Sequence, residues 1–343
     1  MKQYIDLRSD TVTQPSKLML DELTRAPLGD DVFSEDPTVN MLEDKAAKLL
    51  GKEKALLVPS GTMGNLIAVL VHCPRGTEVI LGDCSHTFIY EAGGISAFGG
   101  IHSHQLQNEN DGTIKISSIK NAIRQDNIHF PRTALICLEN THNMCFGSPI
   151  SSQYMQDVLA LAQNNALKVH TDGARIFNAA VALNINIKEL TQYTDSITFC
   201  LSKGLSAPIG SVLCGTEEFI HEARRIRKAL GGGMRQAGII AASGSVALDK
   251  NIEQLTVDHD NAKYLAEEIN KITYLDIEID HVKTNILYFT INHESISGSE
   301  FVNFMYDKRI KFFEVSKNKF RLVTHSGINH DNVKYVIQMF NEI

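Results

Sequence analysis

Three stretches set chemically active residue types against apolar runs that could hold them. Ser60-Gly61-Thr62-Met63-Gly64-Asn65 follows the apolar run Ala55 to Val58 and opens an apolar helical stretch through about Val71. Its glycines let backbone approach an anion, and a helix start offers unpaired N–H groups at the positive end of the helix dipole. No Walker-type Gly-Lys-Ser/Thr follows it and no GxGxxG fingerprint is present. Val169-His170-Thr171-Asp172-Gly173-Ala174-Arg175 closes an apolar run with a carboxylate, and Ser202-Lys203-Gly204 does so with a lysine directly after Ser196 to Leu201. Alone, each has a plainer reading: turn glycines, a helix N-cap at Asp172, and a lysine whose ammonium reaches solvent along its own alkyl stem. Together, an anion cradle, a strand-end carboxylate and a strand-end lysine are the set that pyridoxal phosphate requires. The cradle takes the phosphate, the lysine forms a Schiff base, and the carboxylate keeps the pyridine nitrogen protonated.

The elements that must position these residues alternate short β-branched runs with helical patterns, which predicts an α/β fold on a mostly parallel sheet. Ligands collect at the carboxyl ends of strands in such sheets. A helix is expected over 37–50, with Asp36 as N-cap, Pro37 in its first position and Gly51 past its end. Strands are expected near 55–58, 78–81, 134–138, 167–171, 197–200 and 211–214, with a helix near 151–164. A long helical region, 217–271, precedes a strand at 285–290, a helix near 299–309, a strand at 320–324 and a final helix, which suggest a small α+β unit. The expected division is an N-terminal segment, 1–35, packing across both units, a large domain, 36–250, and a small C-terminal domain, 251–343.

Composition bounds the partners. The chain has 343 residues, 43% of them hydrophobic and 21% charged, with a net charge of −7. That is an ordinary globular balance, and the negative sign disfavours nucleic acid and anionic membrane. No signal-peptide pattern opens the sequence and no apolar run approaches the roughly 18 residues of a membrane span, so a cytoplasmic protein is expected. The six cysteines are scattered without a CxxC pair, which reads as buried, reduced thiols. A metal set drawn from Cys73, Cys84, His86, His102 and His104 lacks the paired short spacings of a zinc site, and no metal is expected.

Several motifs in register resemble the low-specificity L-threonine aldolases of the fold type I pyridoxal phosphate family. They are Asp6 to Thr13, Gly29-Asp30-Asp31-Val32, Asp36 to Asn40, Ser60-Gly61-Thr62, Glu139-Asn140-Thr141-His142, Asp172 to Arg175, Leu201 to Gly204, Gly231 to Gln236, and Arg321 to His325. They span nearly the whole chain. The resemblance implies a seven-stranded large-domain sheet and pyridoxal 5'-phosphate as cofactor. It further implies retro-aldol cleavage of L-threonine or L-allo-threonine to glycine and acetaldehyde; β-elimination or transamination on a small amino acid is the alternative. It makes Lys203 the Schiff-base lysine, Asp172 the partner of the pyridine nitrogen and His86 the ring stacked on the cofactor. Ser60, Gly61 and Thr62 would hold phosphate. Ser9, Arg175 and Arg321 would grip the substrate carboxylate, with Arg175 also at the cofactor, and His129 would stand near the substrate hydroxyl. The base is left among His129, His86 and an ordered water. Arg235 would reach the phosphate from a neighbouring subunit, in a homodimer or homotetramer with sites at the interface. The sequence departs from the family pattern at Met63-Gly64, Asn143 to Phe146 and Ser206, which bears on substrate preference.

Overall fold

Helix caps fix the first elements locally. In the computed structural model, which describes residues 4–293 and 295–343, Ser16 caps α1 (Lys17–Arg25) and Asp36 caps α2 (Pro37–Leu50). Asp36 Oδ1 accepts from the N–H groups of Thr38 and Val39, and Gly51 ends the helix at φ 66°. Residues 1–3 of the expected segment 1–35 lie outside the described residues. Strand β1 (Lys54–Val58) then turns at Ser60 into α3 (Gly61–His72).

The remaining strands of the large sheet are β2 (Glu78–Gly82), β3 (His102–Leu106), β4 (Thr133–Glu139), β5 (Lys168–Asp172), β6 (Ser196–Cys200) and β7 (Ser211–Gly215). Their order is β1-β7-β6-β5-β4-β2-β3. Only β7 runs against its neighbours; the other pairs are parallel, as the β/α alternation requires. Helices α4 (Ser152–Asn164) and α5 (Ile176–Leu183) serve as crossovers. The apolar-run criterion misses β3, whose sequence is His-Ser-His-Gln-Leu, because this edge strand stays partly exposed.

The expected long helical region over 217–271 holds three helices: α6 (Glu217–Ala229), α7 (Gly238–Lys250) and α8 (Gln254–Ile269). The first break is the triple glycine 231–233, where Gly231 adopts φ 80°. Beyond α8, β8 (Leu275–Asp276), β9 (Ile286–Ile291), α9 (Gly298–Asp307), β10 (Phe313–Ser316), β11 (Lys319–Val323) and α10 (His330–Phe340) build a small unit. Its antiparallel sheet has the order β10-β11-β9-β8. Phe289, Phe301, Phe312, Phe320 and Phe340 fill a core of their own, joined by Leu7. Ile5–Asp6 pairs in parallel with Ile310–Lys311, while Thr13 Oγ1 donates to Lys203 O in the loop after β6 at 3.1 Å. The N-terminal segment therefore bonds to both units. No described helix is long and apolar enough to cross a membrane.

Candidate active site

Register brings the polar strand ends to one level. Glu139 ends β4 opposite Asp172 at the end of β5, and Asp172 pairs with Thr198 on β6. A cavity of about 260 Å³ opens there, between the start of α3 and the β6–β7 loop. Ser60, Gly61, Thr62, Asn65, His86 and Glu91 line one side, and Asp172, Lys203 and Gly210 are among the residues lining the rest. A larger groove of about 1020 Å³, bordered by Lys45, Phe177 and Ile252, lies away from these residues.

The cradle is narrow for a packing reason. Ser60 Oγ accepts from Met63 N–H at 3.2 Å and caps α3. A Cβ at Gly61 would come 3.0 Å from Cys200 Sγ, and one at Gly64 would come 2.6 Å from Thr198 Cγ2. Both glycines let the helix start press onto β6, which leaves the first amides of α3, unpaired within the helix, at the cavity.

Asp172 is held by two donors. Its Oδ1 accepts from Ala174 N–H at 3.0 Å and its Oδ2 from Asn65 Nδ2 at 2.9 Å. The second hydrogen of the same amide goes to Glu91 Oε1, also at 2.9 Å. Glu91 Oε1 in turn meets His86 Nδ1 at 2.9 Å. Burial lowers the His86 pKa, but the Glu91 hydrogen bond and the Asp172 charge outweigh it and hold His86 above the ordinary histidine range. Ligand atoms of His86, Glu91 and Asp172 lie within 4.8 Å of one another; among the described residues, no Cys73, Cys84, His102 and His104 cluster of that kind forms.

A polar shell continues from this corner. Glu139 Oε2 accepts from His86 N–H at 2.6 Å and its Oε1 from Asn143 N–H at 2.8 Å. Arg321 donates from Nη1 to Asn143 Oδ1 at 3.1 Å and from Nη2 to Arg8 O at 3.0 Å, while its buried Nε has no partner among the described residues. Arg175 is buried and donates through Nε and Nη2 to both oxygens of Asp10, at 2.8 and 2.7 Å. Burial opposes the Asp10 charge, yet Arg175 holds Asp10 well below the usual carboxylate range. Ser9 Oγ caps the turn that carries Asp10, accepting from Thr11 N–H at 3.2 Å.

The structure thus gathers Ser60, Gly61, Thr62, His86, Asp172 and Lys203 around one cavity and links Arg321 to it through Asn143, Glu139 and His86. Arg175 comes with two of its donors already on Asp10. Two expected residues stand elsewhere in the chain. His129 is exposed in the loop that precedes β4, whereas the cavity is at the far end of that strand, about 20 Å along it. Arg235 is exposed and donates to Asp30 Oδ2 at 2.9 Å. Sequence reasoning passed over Glu91 and gave Asn65 no role; the one signal for Asn65 was its place one turn into the helix that the cradle opens.

A seven-stranded, mostly parallel sheet that sets a lysine and a carboxylate beyond its strand ends against a helix start defines an α/β protein with a strand-end site. The chain belongs to the β-eliminating lyase family, which matches residues 6–292, and within it to the low-specificity L-threonine aldolases. It is 46% identical over 343 residues to a probable low-specificity L-threonine aldolase of Arabidopsis thaliana, covering 99% of this chain and 97% of that one. It is 43% identical over 332 residues to the low specificity L-threonine aldolase of Escherichia coli K12, with 97% of each covered. The structure of a threonine aldolase from Leishmania major superposes with a TM-score of 0.84 at 17% identity, covering 98% of this chain and 99% of that one.

Proposed function

We propose that the protein cleaves L-threonine and L-allo-threonine to glycine and acetaldehyde with pyridoxal 5'-phosphate bound in the 260 Å³ cavity. The observation that carries this reading is the meeting of Lys203, Asp172 and the amide-lined start of α3 in one cavity, in a chain of this family.

The residues fit the cofactor. A Cβ at Gly61 would narrow the cradle, the first α3 amides suit a phosphate, and the Asn65-bound Asp172 is an acceptor for a ring N–H. Lys203 is the amine that would hold the aldehyde, and His86 the ring that would cover the cofactor face. When bound, pyridoxal phosphate supplies an aldehyde to take up the substrate amine and a protonated ring to accept the electron pair of the broken bond.

The chain's own groups then divide the remaining work. Arg321, fixed through one hydrogen each of Nη1 and Nη2 to Asn143 and Arg8, grips the substrate carboxylate with the hydrogens those nitrogens have left and so sets which bond at Cα stands perpendicular to the ring. Arg175 and Ser9 contribute from the Asp10 side. His86 donates Nδ1–H to Glu91, which leaves Nε2 with the lone pair that a base needs at the β-hydroxyl, and its raised pKa strengthens that base. Within one chain His129 is at the wrong end of β4 for this role. Arg235 and His129 would act only from a second copy, and we place the protein as a cytoplasmic homodimer or homotetramer serving threonine breakdown and glycine supply.

Borohydride reduction of the protein loaded with pyridoxal phosphate tests the assignment. A single adduct on the peptide carrying Lys203 is expected, and Lys203→Ala should bind the cofactor without it; an adduct on another lysine would overturn the site.

A further inference from the structure

Asn65 is the near end of a buried hydrogen-bond run to which the proposed reaction assigns no role. Asn65 and His72 are seven residues apart on α3, two turns and hence the same face, and that face packs on β5 and β6. His170 precedes Asp172 by two on β5 and pairs in register with Ser196 on β6. Asn65 Oδ1 lies 3.1 Å from His170 Nε2, His170 Nδ1 lies 2.8 Å from Ser196 Oγ, and Ser196 Oγ lies 2.8 Å from His72 Nε2. Asn65, His170 and Ser196 are buried, and His72 stacks on Phe219 with ring centroids 4.7 Å apart.

The proton count leaves one consistent arrangement. Both hydrogens of the Asn65 amide face carboxylates, so its oxygen must accept, and His170 must carry a proton on Nε2. Burial holds His170 down to about 3 and His72 to about 4, so each ring carries one proton only. His170 Nδ1 then accepts from the Ser196 hydroxyl, and that hydroxyl accepts from His72 Nε2–H. Every donor in the run points toward Glu91 and Asp172, so each bond polarises the next in the same direction. Reversing the amide would aim an oxygen at two carboxylates.

We infer that His170 is a positioning residue for Asp172: its Nε2–H locks the Asn65 amide so that one side chain donates to both active-site carboxylates, with Ser196 and His72 fixing which nitrogen bears the proton. The inference rests on the reading of Asp172 as the partner of the cofactor ring, but its first test does not.

Long-range proton–nitrogen NMR of the holoprotein, with the His170 signal assigned from His170→Gln, should show a neutral Nε2–H ring that does not titrate between pH 5 and 9. A Nδ1–H ring, or titration in that range, would overturn the inference. The consequence is then read in variants. His170→Phe should bind pyridoxal phosphate about tenfold or more weaker and lose kcat on L-threonine with little change in KM, while His170→Gln, whose amide N–H replaces Nε2–H, should recover much of both. A folded Phe variant with wild-type cofactor affinity and kcat would contradict it. Should the Phe variant not fold, Ser196→Ala serves instead: it frees the tautomer and should weaken cofactor binding, and unaltered tautomer and affinity would count against the proposal. The tautomer and the affinity stay decisive even if threonine proves not to be the substrate.

Discussion

Arg321 is held through one hydrogen of each Nη nitrogen, which leaves each a second to offer. Arg321→Lys keeps the charge but loses the planar fork, and one charge-assisted hydrogen bond is worth about 1.5 to 3 kcal/mol. The expected result is a rise in KM for L-threonine of roughly tenfold to a hundredfold in steady-state kinetics; an unaltered KM would remove the contact. The residues most legible in the sequence were those whose signal is local. Lys203 and Asp172 each end an apolar run, and Gly61 sits where a strand turns into a helix. Glu91 and His170 were not legible as site residues, since their partners come from other elements: Glu91 meets Asn65 of α3, and His170 meets Ser196 only through the register of β5 with β6. For His129, motif order along the chain does not say at which end of a strand its loop emerges, and within one chain the loop stands away from the cavity.

Among the elements, α2 illustrates how one residue can anchor three segments. Asp36 caps α2 through Thr38 and Val39, and its Oδ2 also accepts from Gly29 N–H at 3.2 Å and Gly238 N–H at 2.9 Å. A Cβ at Gly238 would lie 2.4 Å from Asp36 Oδ1, so α7 begins against the start of α2. Asp36→Ala strands several amides away from water, and buried donors left unpaired cost about 1 to 3 kcal/mol each. Urea unfolding should therefore show a loss of about 3 kcal/mol or more, against about 1 kcal/mol for an ordinary exposed cap; a loss no larger than that would deny the anchoring role. The cap itself was readable from Asp-Pro before an apolar period. Its bonds to Gly29 and Gly238 were not, being contacts across the chain. The region 217–271 was read only as helical, without its helix ends, because its breaks carry no proline and the triple glycine alone does not reveal where a new helix begins.

For the whole molecule, the join between the two units carries a buried acid. Asp258 of α8 is enclosed, with Oδ2 unpartnered among the described residues, while its backbone carbonyl accepts from Thr324 Oγ1 at 2.6 Å. Burial, aided by the Asp10 charge and opposed by Gln254, pushes it up to about 7. The native state then keeps a proton that the unfolded chain releases near pH 4, so this group's contribution to stability is full below that and falls as pH rises toward 7. Asp258→Asn should remove that slope: the wild-type minus variant difference in unfolding free energy should decline by a few kcal/mol between pH 4 and 8. A difference that stays constant over that range would contradict the raised pKa. The division at residues 35 and 250 remains our proposal; the N-terminal segment, bonded to both units, is its least separable part.

The most direct measurement of the reaction incubates the holoprotein with L-threonine and, separately, L-allo-threonine, and quantifies glycine, acetaldehyde, ammonia and 2-keto acid together, with Lys203→Ala as control. Glycine and acetaldehyde in equal amounts, without keto acid, and their loss in the Lys203→Ala protein, are the predicted result. Ammonia and a keto acid in place of glycine, or equal cleavage by the lysine variant, would contradict it.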